Sequence, residues 1–146
     1  MMAIPSTPVL RVLVVDDDEP MQILMDALFR RRDVIVDSVA DGAAALERLG
    51  RERYDAIVLD LMLPRTNGFE VIRALKELDR ELLSRTIVLT AASEAMLRGF
   101  AEGDGRMVRR VMRKPFDVSE FIAEVLSCSG AAAHQAEMVL PDQGGH

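Results

Sequence analysis

The amino-acid sequence predicts a three-layer α/β sandwich: a doubly wound, five-stranded parallel sheet with helices on both faces. Two observations carry that prediction. Short runs rich in β-branched and aliphatic residues recur five times along the chain, and the first has the pattern of a strand buried on both faces. Between them lie segments whose apolar residues return at helical spacing. Parallel strands need crossovers, each crossover is right-handed, and each packs a helix onto the sheet.

The elements follow in order. Leu10 to Val15 is the first strand, and Pro20 suits the first turn of a helix carrying Met21, Leu24, Met25 and Leu28 at i, i+3, i+4 and i+7. Val34 to Val39 is the second strand; Asp41 caps the next helix, with Ala44, Ala45, Leu46 and Leu49, and Gly50 closes it. Ala56 to Leu59 is the third strand, Pro64 to Gly68 (PRTNG) is turn chemistry, and Phe69, Val71, Ile72 and Leu75 mark the third helix. Thr86 to Leu89 is the fourth strand, followed by a weaker helix from Ser93 to about Glu102, the Gly103 and Gly105 break, and a fifth strand over Val108 to Met112. Asp117 and Glu120 have capping-box spacing ahead of a fifth helix with Val118, Phe121, Ile122, Val125 and Leu126.

Composition narrows the function classes. The chain has 146 residues, 49% of them apolar, enough for one domain with a full core. A net charge of −6 argues against nucleic acid as a direct partner, since a phosphate backbone demands an excess of Lys and Arg. No apolar run approaches the ~20 residues that span a bilayer, and Met1 to Leu10 lacks the pattern of a signal peptide. A lone cysteine, Cys128, forms neither an internal disulfide nor a thiolate cluster, and His134 and His146 fall in the C-terminal tail. These features predict a cytoplasmic protein with a tail over residues 1–8, one domain over 9–128 and a flexible tail over 129–146, the last too short for a helix-turn-helix or cyclase domain.

The chemistry lies at the strand ends. Asp16 and Asp17 end the first strand, Asp60 the third, Thr90 the fourth and Lys114 the fifth, so all five are expected at one edge, where such folds bind ligands. Three converging carboxylates call for a cation, and oxygen ligands without histidine or cysteine select Mg²⁺ or Mn²⁺. Lys114 and Thr90 add a point charge and a hydroxyl donor, which an incoming phosphoryl group requires. Asp18 is expected to favour the N-terminus of the helix beginning at Pro20.

With VVDDDEP (Val14 to Pro20), LTAAS (Leu89 to Ser93) and RKPF (Arg113 to Phe116), the stretch VLDLMLPRTNGFEVI around Asp60 resembles the receiver domain of bacterial two-component response regulators, from about Val9 to Cys128. The resemblance implies a flavodoxin-like strand order, 2-1-3-4-5. It implies that Asp60 accepts a phosphoryl group from the phosphohistidine of a sensor histidine kinase or phosphotransfer protein. Asp17, Asp60 and the backbone carbonyl of Met62 would hold Mg²⁺, with Asp16 acting through a metal-bound water. Lys114 and the amides of Met62 and Ala91 would hold phosphoryl oxygens. Thr90 would act as the switch, Lys114–Pro115 would be a cis peptide bond, and the contacts of Thr90 and Lys114 would await the phosphoryl group. Such a protein is no conventional enzyme; it catalyses its own phosphorylation and a slow autodephosphorylation.

The chain departs from the family pattern in places. Receivers carry an aromatic residue three positions before the lysine, where this chain has Val111, so the second switch position is expected to move less apolar surface. Arg106, Arg109, Arg110 and Arg113 crowd the fifth strand, either to protect an edge or to form a docking face, with the fourth and fifth helices, for a downstream partner or a homodimer. The segment EGDGRM suggests a longer, looser loop and a mobile fourth helix. Met62 and Ala92 cannot orient a hydrolytic water, which points to slow phosphoryl loss. Two rivals remain: a phosphohydrolase of the haloacid dehalogenase type with Asp16 as nucleophile, and a degenerate receiver acting only as an interaction module.

Overall fold

A computed structural model describes residues 10–128; the two expected tails, with His134 and His146, lie outside the described residues. Five strands, β1 (Leu10–Val15), β2 (Val34–Val39), β3 (Ala56–Leu59), β4 (Thr86–Thr90) and β5 (Arg110–Arg113), pair in parallel in the order β2-β1-β3-β4-β5. The helices are α1 (Glu19–Phe29), α2 (Gly42–Leu49), α3 (Gly68–Leu78), α4 (Arg80–Leu83), α5 (Glu94–Glu102) and α6 (Val118–Leu126), with a 3₁₀ turn over Asp104–Met107.

Alternation along the central strands explains the three layers. Leu13, Val15, Ile57, Leu59 and Val88 face a core shared with Ile72, Leu75 and Phe100 of α3 and α5. Val12, Val14, Ala56, Val58, Ile87 and Leu89 face the other core, with Met25 and Phe29 of α1 and Phe121 and Val125 of α6. Every residue of β3 and β4 is buried, as strands covered on both faces must be.

The structure differs from the sequence reading at four places. The short helix α4 was not anticipated; Asp79 caps it, its carboxylate accepting from Leu82 N at 3.0 Å. The fifth strand runs Arg110–Arg113 rather than Val108–Met112, because the residues after Gly103 form the 3₁₀ turn. That turn is not loose: a β-carbon on Gly105 would lie 2.5 Å from the Phe100 carbonyl oxygen, and Lys76 Nζ on α3 binds Asp104 at 3.0 Å. At α6, Asp117 accepts from Glu120 N at 2.8 Å, but the Glu120 carboxylate turns to Arg110 instead of completing the capping box. A complete box stands at α3, where Asn67 and Glu70 each accept from the other's amide at 3.0 Å.

Candidate phosphoacceptor site

The carboxyl ends of β1, β3, β4 and β5 assemble one polar crevice. Asp16 follows β1, with its amide donating to Val39 O at 3.1 Å, and only 3% of it is exposed. Its Oδ1 accepts from Asp18 N at 2.9 Å, while Gln22 Nε2 donates to its carbonyl oxygen at 2.6 Å. Asp18 caps α1, accepting from Met21 N at 3.2 Å, and Asp17 stays exposed. Carboxylate oxygens of Asp16, Asp17 and Asp60 all lie within 4.8 Å of one another.

Asp60 sits at the centre. Its amide donates to Val15 O at 3.0 Å, and its Oδ1 accepts from the Thr90 hydroxyl at 2.7 Å and from Met62 N at 3.0 Å. The fully buried Thr90 hydroxyl also accepts from Ala92 N at 3.2 Å. Lys114 N donates to Thr90 O at 2.9 Å, which aims the lysine back over the crevice; Nζ reaches Asp16 Oδ2 at 2.9 Å and Asp60 Oδ2 at 3.3 Å. The Lys114–Pro115 peptide is cis.

Thr90 and Lys114 therefore already hold Asp60, where the sequence reading had them waiting for a phosphoryl group. Electrostatics explains the difference for Lys114, since two buried carboxylates need a counter-charge. Burial pushes the Asp16 carboxyl above its ordinary range, and its bonds from Lys114 and from the Asp18 amide offset this only in part. Burial also pulls on the Lys114 ammonium, but Asp16 and Asp60 together outweigh it and hold its pKa above the ordinary lysine value.

The loop after Asp60 is pinned from two sides. A β-carbon on Gly68 would lie 2.4 Å from the Asp60 carbonyl oxygen, so only glycine lets α3 start against the strand end. Gly42 N donates to Thr66 O at 2.9 Å, and Arg65, at φ 56°, forms an ion pair with Asp41. Met62 is half exposed beside the crevice, Ala91 is exposed and Ala92 is buried. Val111 is half-buried in β5 opposite Val88, packed on the core that holds Phe100.

The arginines of the fifth strand are engaged. Arg109 binds Glu124 at 2.9 Å, Arg110 binds Glu124 and Glu120 at 3.1 Å each, and Arg113 lies 3.6 Å from Glu94. Their charges are met on α5 and α6, while Arg106 is exposed and has no ion pair among the described residues.

The family model for the response regulator receiver domain matches residues 12–126. The chain belongs to that family. It is 43% identical over 119 residues to the transcriptional regulatory protein CutR of Streptomyces coelicolor, covering 80% of this chain and 52% of CutR. It is 29% identical over 110 residues to sporulation initiation phosphotransferase F of Bacillus subtilis, covering 75% of this chain and 86% of that protein. Among solved structures, the receiver domain of sensor histidine kinase PA1611 from Pseudomonas aeruginosa, with a magnesium ion coordinated in the active site cleft, superposes with a TM-score of 0.69 at 29% identity, covering 83% of this chain and 98% of that one. The receiver chain thus spans about half the length of the CutR relative. Membership disposes of the haloacid dehalogenase reading, and Pro20, in the first turn of α1, could not supply the hydroxyl which that reading needs.

The clustered carboxylates fit a hard divalent cation. All three acids offer oxygen, no histidine or cysteine lies among them, and one stays open to solvent.

Proposed function

We propose that this receiver domain takes a phosphoryl group onto Asp60 from the phosphohistidine of a sensor kinase or phosphotransfer protein. The observation that carries the reading is the grip on Asp60: Thr90 and Met62 bind Oδ1, while among the described residues Oδ2 keeps only the 3.3 Å contact with Lys114. Oδ2 is therefore the oxygen that attacks phosphorus. As the O–P bond forms, the P–N bond to the donor imidazole breaks and the ring nitrogen keeps its electron pair. Lys114 lies where a phosphoryl oxygen arrives, and the exposed turns at Met62 and Ala91 carry the amides for the others. Thr90, released from Asp60 Oδ1, turns its hydroxyl to the phosphoryl group; Val111 is the second position that responds.

Asp17, Asp60 and the Met62 carbonyl would hold Mg²⁺ or Mn²⁺, with Asp16 behind them through water. A divalent cation there withdraws charge from the reacting oxygens. Exposed Met62 beside Asp60, with Ile23 and Leu24 on the helix that leaves the acid loop, offers apolar surface to a protein donor. Output runs through the face of α5, β5 and α6, to a downstream protein or a second receiver. Met62 and Ala92 provide no group to orient a water, so the acyl phosphate is lost slowly.

Acetyl phosphate with MgCl₂ tests the reading: intact mass should show one phosphoryl group, absent in Asp60→Asn and absent with EDTA. Full labelling of Asp60→Asn refutes the assignment. Absence of labelling in the parent favours the interaction-only receiver.

A further inference from the structure

The edge of the sheet opposite the crevice carries a second concavity. Between the ends of α2 and α3 lies a groove of about 630 Å³. Leu46 and Leu49 of α2 form one wall, Leu78 of α3 the other, and Tyr54 part of the floor. Leu78 is 80% exposed, the most exposed of the large apolar side chains among the described residues. Arg51 and Arg53 stand on the rim, both exposed, and neither has an ion pair among the described residues.

The acids that line the groove are already in use. Glu52 binds Arg11 at 3.1 Å, Asp79 caps α4 and Glu81 lies 3.8 Å from Arg85. The groove therefore offers leucine-sized apolar walls and two free positive charges, and suits a short apolar peptide flanked by carboxylates.

We propose that this groove binds residues 137–142 of the same chain, Glu-Met-Val-Leu-Pro-Asp. Met138, Val139 and Leu140 match the leucine walls, and Glu137 and Asp142 match Arg51 and Arg53 in number and sign. The described chain ends on the right edge. Cys128 is buried in one core cluster with Leu10, the first residue of β1, and its thiol donates to Glu124 O at 3.7 Å; Glu124 pairs with Arg109, whose amide donates to the carbonyl oxygen of Thr86, the residue after Arg85 of the groove. Nine residues separate Cys128 from Met138, and the ten steps of chain extend to about 33 Å, more than the two layers of ~10 Å to be crossed. Tethering raises the local concentration of the segment into the millimolar range, so a weak peptide contact suffices. The proposal is independent of the phosphoryl chemistry at Asp60.

Methyl NMR on the full-length chain tests it. Nuclear Overhauser effects are expected between the methyl groups of Val139 or Leu140 and those of Leu46, Leu49 or Leu78. Leu140→Asp should abolish them and shift the three groove leucines, while the signals of Ile57 and Leu89 stay in place and report an intact core. Arg51→Glu with Arg53→Glu should also abolish them, and adding Glu137→Arg with Asp142→Arg should bring them back. Three results overturn the proposal: no effect from Val139 or Leu140, effects from Ile4 in their place, or effects seen only between chains in a mixed-label sample, which would make a second copy the occupant.

Discussion

Replacing Lys114 with methionine keeps the length and packing of the side chain but removes the cation that Asp16 and Asp60 share. The three side chains are 18%, 4% and 9% exposed, in the order Lys114, Asp16, Asp60, so the pairs are close to buried. Removing one partner of a buried ion pair costs about 3–5 kcal/mol, because the other charge is left without compensation. Lys114 keeps some contact with water, which places the loss near the lower end, about 3 kcal/mol, or roughly 10 °C in midpoint for a domain of this size. Urea unfolding at neutral pH in EDTA measures it, with the m-value unchanged so that the midpoint alone reports stability. Saturating MgCl₂ should then narrow the gap between parent and Lys114→Met, since a cation on the same carboxylates replaces the missing charge and stabilises the variant more. Equal midpoints in EDTA, or a gap that widens with Mg²⁺, would refute the claim that Lys114 neutralises this pair.

Other expectations follow from the same contacts. The Tyr54 hydroxyl donates to Asp37 at 2.6 Å, and that bond, with the charges of Arg11 and Arg48, holds the Asp37 carboxyl below its ordinary range. A depressed carboxylate contributes stability above its unfolded pKa and loses it as pH falls through the folded one, so Tyr54→Phe should cost about 1–2 kcal/mol at neutral pH and progressively less in acid; urea titrations across that range check it, and a loss independent of pH counts against it. Gly99→Ala, where a β-carbon meets nothing within 4 Å on α5, should raise stability by about 0.5–1 kcal/mol. Gly68→Ala, forced against Asp60 and Leu61, should lower stability by at least about 1–3 kcal/mol and slow labelling by acetyl phosphate; thermal melts of both variants test the contrast. Reversing Arg109 and Arg110 to glutamate should lower stability slightly, through lost pairs with Glu120 and Glu124, and leave phosphoryl uptake unchanged; loss of partner association without any change in stability would instead favour a docking role.

Local chemistry made most of the fold legible. β1, β2 and β3 have the bounds that their apolar runs predict, Asp18, Asp41 and Asp117 cap the helices their positions announce, and Ser93, read as the first residue of its helix, is its cap. Misses fall where tertiary contacts override local pattern. The four residues of α4 are too few to show a helical period, and the bond from Leu82 N to the Asp79 side chain marks their start. Two glycines made Glu102 to Met107 read as a loose loop, but Gly105 is there because Phe100 passes too close for any side chain. Glu120 had the spacing of a capping box and lacked its geometry, because Arg110 on the neighbouring strand competes for the carboxylate with a full charge.

At the site, residue types were legible and their pairings were not. Alternation of strand and helix is enough to bring Asp16, Asp17, Asp60, Thr90 and Lys114 to one edge, since every parallel strand ends there. Which of them touch depends on the register of β4 against β3 and β5, and no single segment records it. Registers pairing Leu59 with Val88 and Thr90 with Arg113 put the Thr90 hydroxyl on Asp60 and start the lysine beside Thr90. The same registers bear on Val111. It pairs with Val88 and packs in the core that contains Phe100, whose ring meets Phe69 edge-on at 5.7 Å. Phe69 follows Gly68, which rests on the Asp60 carbonyl oxygen, so an aromatic contact joins the phosphoacceptor loop to α5 without a ring at position 111. The valine therefore leaves β5 with little apolar area to move, while α5 keeps a packed route to Asp60 through α3.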